Sequence, residues 1–140
     1  MDEVSDWGIR ALERAAKALT CHTTVHICYG YGIKANIDWK QTLGNEWRQY
    51  EDIFLAIGKS SIQQVAIECC NTKVPLEFLN LLKGKIIQVG VIDVGSDIVE
   101  TAENVAEVID AGSKFVPKKI SSRLLISAWL RCITTSRKAR

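Results

Sequence analysis

The last thirty residues of this 140-residue chain hold no acidic side chain: Asp110 is the final carboxylate, and eight lysines and arginines follow it. A basic tail of this kind is common in nucleic-acid or membrane arms. Residues 1–110, however, carry ten basic against sixteen acidic residues, so the body of the chain is net acidic. A nucleic-acid binder needs a basic face with aromatics interleaved, and that balance counts against one. Apolar runs approaching the roughly 20 residues needed to cross a bilayer are missing as well, so no membrane span is expected. The opening "MDEVSDWGIR" is acidic and polar, unlike a secretory signal. No Cys-x-x-Cys pair occurs among the five cysteines, two of which are adjacent. An odd number in this arrangement argues against a disulfide scaffold and for a reducing, cytoplasmic setting. Finally, no glycine-rich phosphate loop follows the first apolar run, which weakens a nucleotide-binding reading.

What the chain does contain is an alternation. "DWGIRALERAAKALT" places Trp7, Ala11, Leu12, Ala15 and Leu19 on one helical face. "TTVHIC" reads as a strand, and a long glycine-containing segment runs from Tyr29 to about Gly44. "NEWRQYEDIFLAIGKS" predicts a helix with Trp47, Tyr50, Ile53, Phe54 and Ile57 on its buried stripe. "IQQVAIEC" is a strand. "PLEFLNLLKG" is a helix with Pro75 in its first turn and Gly84 just past its end. "KIIQVGVIDV" is a strand, and "TAENVAEVIDAGSKFV" a helix with Thr101 as N-cap and Asn104 three residues on. "KKISSRLLIS" has the pattern of a further strand. Strands alternating with helices imply a parallel sheet with right-handed crossovers. Three or four strands are few for a doubly wound sheet; part of a (β/α)8 barrel, about half of one, fits equally.

Barrel chemistry sits at the carboxyl ends of the strands. The first strand ends at His26 and Cys28, the second at Glu68 and the third at Asp93. His26 and Cys28 are two apart, so in a strand they share a face. Two readings fit them. One is a core strand with a satisfied histidine and a buried free cysteine; the other is half of a zinc site, which Glu68 would extend with a hard oxygen donor. Glu68 also reads as an ion-paired strand-end carboxylate, Asp93 as a loop cap, and Cys69 and Cys70 as packing residues.

These residues carry a resemblance. "MDE" at 1–3, "HIC" at 26–28, "IE" at 67–68 and "GVIDV" at 90–94 are similar, in order, to pieces of the C-terminal catalytic barrel of cobalamin-independent methionine synthases, within the superfamily of uroporphyrinogen decarboxylase. The resemblance implies an α/β fold, a partial (β/α)8 barrel comprising about its second half. It implies zinc as cofactor with His26, Cys28 and Glu68 as three of four ligands, and Asp2 as the residue that holds the amino group of homocysteine. The implied activity is methyl transfer from a donor to the homocysteine thiolate, giving methionine. Where the family carries a histidine after the "GVIDV" motif, this chain has Gly95, which counts against a folate donor. Its segment 29–47 is similar to the single-barrel branch of the family, whose donor need not be a folate.

The resemblance spans residues 1 to about 120. Residues 121–140 read as an aberrant basic tail, as a shifted reading frame would give: Cys132 stands there without the Asn-Cys-Gly context of the family's fourth ligand. The chain is therefore expected to be a fragment with impaired turnover and weakly held zinc, able to associate through open sheet edges. The alternative is a non-catalytic zinc-binding remnant or a barrel half that depends on a partner.

Overall fold

The computed structural model describes residues 3–31, 33–70, 72–93, 95–116 and 124–127. Its elements in chain order are α1 (Glu3–Ala16), β1 (Thr24–Ile27), α2 (Lys34–Gln41), α3 (Tyr50–Lys59), β2 (Gln64–Glu68), a 3₁₀ turn (Leu76–Leu81), β3 (Ile86–Gly90), α4 (Ala102–Ser113) and β4 (Leu124–Ser127). The four strands form one sheet in the order β1-β2-β3-β4, with every neighbouring pair parallel. This is the open, sequentially ordered α/β sheet of a partial (β/α)8 barrel.

Register sorts the side chains onto two faces. Val65 lies level with Val25 and Ile87, and Ile67 with Ile27 and Val89. Because successive residues alternate, these aliphatics share one face. Val65, Ile67, Ile87 and Val89 are buried there in a single cluster with Phe54 and Ile57 of α3 and with Phe78, Leu79 and Leu82. The opposite face carries Thr24 and His26 of β1, Gln64, Ala66 and Glu68 of β2, and Gln88 and Gly90 of β3. In a closed barrel the helix-covered face lies outside and the polar face lines the interior.

One glycine of α3 is dictated by packing. A Cβ on Gly58 of α3 would stand 2.5 Å from the Leu81 carbonyl oxygen, so the helix touches the 3₁₀ turn backbone to backbone. Gly112 of α4 faces Val89, where an added Cβ would make only ordinary contact with its methyls, at 3.5 and 3.8 Å. At the start of α4, Thr101 and Asn104 form the reciprocal capping box that the sequence suggested.

Several expectations need correction. Trp7 is 66% exposed and Leu19 56% exposed, so the apolar face of α1 is open at both ends; of that face Leu12 borders the β1 edge, together with Ile9 from outside it. The expected helix from residue 45 begins only at Tyr50. Trp47 is buried as expected, but from an irregular segment whose backbone N–H is held by the Lys73 carbonyl at 2.9 Å. The segment after Tyr29 contains a helix, α2, that the sequence reading left as loop. "PLEFLNLLKG" forms a 3₁₀ turn rather than an α-helix. β1, for which a core strand was one reading, is an edge strand among the described residues, with His26 exposed. Asp2 and Cys132 lie outside the described residues.

Candidate metal and substrate site

Three strands end close together at one edge of the sheet. His26 lies level with Ala66, and Ile27 with Ile67; Cys28 follows directly after the end of β1, and Glu68 is the last residue of β2. Glu68 is itself level with Gly90. Imidazole and carboxylate thus belong to the same face of neighbouring strands, and the thiol follows one residue past the end of β1.

Glu68 is the most constrained of them. It is 3% exposed, and a buried carboxylate is costly unless its charge is met. One oxygen accepts from the Cys70 N–H at 2.8 Å, yet among the described residues no lysine or arginine pairs with it. The expected ion-paired alternative therefore has no Lys or Arg behind it here. Room for the carboxylate comes from Gly90, where an added Cβ would meet the second Glu68 oxygen at 3.3 Å, the Glu68 Cα at 3.2 Å and the Ile67 carbonyl at 3.1 Å. His26 feels Glu68 electrostatically, but desolvation outweighs that attraction and lowers its pKa below the ordinary value. A neutral imidazole with a free lone pair is the form that ligates metals.

Two tyrosines surround this spot, and neither was singled out in the sequence. The Tyr31 and Tyr50 hydroxyl oxygens are buried without a hydrogen-bond partner. Burial chiefly, and then the neighbouring Glu68 carboxylate, raises the Tyr31 pKa. Tyr50 has its pKa raised by burial first and then by Tyr29, Cys28, Tyr31 and Glu68. The only sequence signal was the presence of aromatics in "CYGYG", immediately after the candidate ligand strand.

The loop holding Tyr31 is pinned by α2. Asn36 donates to the Tyr29 carbonyl and Lys40 to the Gly30 carbonyl, each at 2.5 Å. The Lys40 ammonium also sits 5.0 Å from the centre of the Tyr31 ring and 5.9 Å from that of Trp47. Gly30 turns with φ +72°, a left-handed conformation that favours glycine. Tyr29 continues the same aromatic group, stacking on Tyr50 with ring centres 4.4 Å apart.

The other candidates divide. Asp93 acts as a loop cap, its carboxylate accepting from the Gly95 N–H at 2.8 Å. Cys69 packs against the core, and the Cys70 thiol approaches the Gly90 carbonyl at 3.3 Å. Burial first, and then Glu68, pushes both thiols up to about 12, so they are protonated at neutral pH. Among the described residues, no three His, Cys, Asp or Glu side chains converge closely enough to hold a metal ion. The donor chemistry nevertheless fits zinc: a mixed nitrogen, sulfur and oxygen set, a buried carboxylate without a Lys or Arg partner, and a cradle at Gly90 that a Cβ would fill. No helix among the described residues is long and apolar enough to cross a membrane.

The parallel sheet, with helices on one face and its strands in sequential order, defines a piece of a (β/α)8 barrel. The particular family follows from similarity to a solved structure, a B12-independent methionine synthase from Shewanella sp. W3-18-1 in complex with selenomethionine. The two chains are 54% identical and superpose with a TM-score of 0.81 over 91% of this chain. The chain belongs to the B12-independent methionine synthase family, and it spans 36% of that protein's length. No model of a protein family matches the chain, and no curated protein does.

Proposed function

We propose that this chain carries three zinc ligands of a methionine-synthase-type barrel, His26, Cys28 and Glu68, and that the whole protein transfers a methyl group to homocysteine. The observation that carries this reading is the buried Glu68 carboxylate at the carboxyl end of β2, beside the strand that ends just before Cys28. The 54% identity to a B12-independent methionine synthase supports it, and the selenomethionine bound to that relative suits a methionine-binding site.

The chemistry that zinc supplies when bound is to stabilise the homocysteine sulfur as a thiolate, lowering a thiol pKa of about 8.5 into the neutral range. The residues of the chain have separate tasks. His26 presents a neutral ring nitrogen, and Cys28 a sulfur once its proton is lost. Glu68 brings negative charge from a dry position. Asp2 is proposed to hold the ammonium group of homocysteine by charge pairing. The sulfur then attacks the methyl carbon of the donor: an S–C bond forms, the bond from methyl to donor breaks, and its electron pair leaves with the donor. Gly95 brings no side chain to protonate a folate leaving group, so the reading favours a donor other than a folate. Since the chain corresponds to about a third of its relative, full turnover requires the rest of the barrel.

The test is to measure zinc per chain and methionine formed from homocysteine and labelled methyl donors, methyltetrahydrofolate included. The expected result is weakly held zinc that Cys28→Ser and Glu68→Gln each reduce, with little methionine unless the remaining barrel is supplied. Zinc uptake that ignores both substitutions contradicts the proposal.

A further inference from the structure

The unused polar groups nearest the strand ends are the Tyr31 and Tyr50 hydroxyls. A buried phenol without a partner loses a hydrogen bond it would make in water, and such a group calls for an explanation. Tyr50 is 6% exposed and belongs to the aromatic core. Tyr31 differs. It sits in a short turn beyond β1, is fixed from outside by Lys40 and Asn36, and has its hydroxyl beside the Glu68 carboxylate. That carboxylate has one oxygen committed to the Cys70 N–H. Its other oxygen faces the space that Gly90 leaves open.

We propose that Tyr31 is a positioning residue: its hydroxyl donates to Glu68 when the ligand set closes on a metal, so that the carboxylate presents one defined oxygen to the cation. The inference rests on the metal-site reading above. Its physical basis is that a ligating carboxylate with two equivalent oxygens must be oriented, and outer hydrogen bonds supply that orientation. The loop behind Tyr31 is already clamped by Asn36 and Lys40. Lys40 has a double part. It ties the Gly30 carbonyl, and its ammonium lies over the Tyr31 ring, which keeps the phenol from swinging out to solvent.

The experiment is a chelator-competition measurement of zinc affinity on the full chain for wild type, Tyr31→Phe, Glu68→Gln and the double variant. Tyr31→Phe keeps the ring, its packing and the Lys40 contact, and removes the hydroxyl alone. The expected result is a loss of roughly tenfold in affinity, the usual size for removing an outer-sphere partner. In the Glu68→Gln background the same change should have little further effect, because the carboxylate it orients is gone. Cobalt(II) substituted for zinc should show altered visible bands in Tyr31→Phe at full occupancy, which a purely structural role would not produce. Unchanged affinity in Tyr31→Phe, together with zinc that still depends on Glu68, overturns the Tyr31 role and leaves the metal site standing. Equal losses in both backgrounds overturn it too. A wild-type chain that takes up no zinc overturns both readings.

Discussion

At the scale of single residues, the site depends on what each group is denied. Glu68 is denied water, and among the described residues it has no Lys or Arg partner. Cys69 and Cys70 are denied ionisation, their thiols raised to about 12 by burial and by Glu68. The sign of the resulting pH dependence follows directly. Between the ordinary thiol value near 9 and about 12, the folded chain keeps protons that the unfolded chain has released. The stabilisation is complete below pH 9 and is lost as pH rises through 12, so the thermal midpoint should fall across that window. Replacing Cys69 by alanine should flatten the fall. Alkylation with iodoacetamide at pH 8 checks the same point: exposed Cys21 should react first, and Cys69 only after unfolding. Residue identity was legible where backbone periodicity bore on it. His26 and Cys28 share a face because strands alternate. That Glu68 has its neighbour in Gly90 was not legible, since it depends on the register between two strands whose paired residues are 22 positions apart.

At the scale of elements, the strands and α4 were readable because their patterns are local. The capping box at Thr101 and Asn104 is contained within four residues. α2 was not readable: it buries no residue, so it writes no apolar stripe, and it is held by lysine and asparagine contacts to the preceding loop. α1 misled for the opposite reason. Its stripe is real, but a stripe does not say whether a neighbour is there to cover it, and Trp7 is left exposed. The contact between α3 and the 3₁₀ turn offers a test in which two effects compete. Replacing Gly58 by alanine improves helix propensity by about 1 kcal/mol, but its Cβ would press within 2.5 Å of the Leu81 carbonyl oxygen. Backbone cannot rotate away as a side chain can, so the clash should win. A net destabilisation of roughly 1–3 kcal/mol is expected, the size typical of overpacking, and urea unfolding would measure it. A Gly58→Ala chain as stable as wild type would show that the two elements are free to move apart.

At the scale of the whole molecule, the sheet is open. Among the described residues β1 has a strand neighbour on one side only. Beside that edge lies a groove of about 480 Å³, bordered by Ile9, Leu12, Val25, Ile27, Ile53 and Ile57. An unpaired parallel edge with apolar walls invites strand addition, and Trp7 adds exposed aromatic surface nearby on α1. Sedimentation velocity over a concentration series should therefore show association that grows with concentration. Val25→Lys, which places a charge at the groove, should weaken it. A chain that stays monomeric throughout the series would show that the edge is protected. The order of the elements showed a parallel α/β sheet but fitted a doubly wound sheet and a partial barrel alike; the resemblance carried by the strand-end motifs implied the barrel.

The central claim is that His26, Cys28 and Glu68 act together on one zinc ion. X-ray absorption at the zinc edge on the zinc-loaded chain reads that sphere directly. The account predicts one sulfur at about 2.3 Å with the remaining donors nitrogen and oxygen at about 2.0–2.2 Å, the sulfur disappearing in Cys28→Ser. A sulfur signal that survives Cys28→Ser, or a sphere of oxygen and nitrogen alone in the unaltered chain, would contradict it.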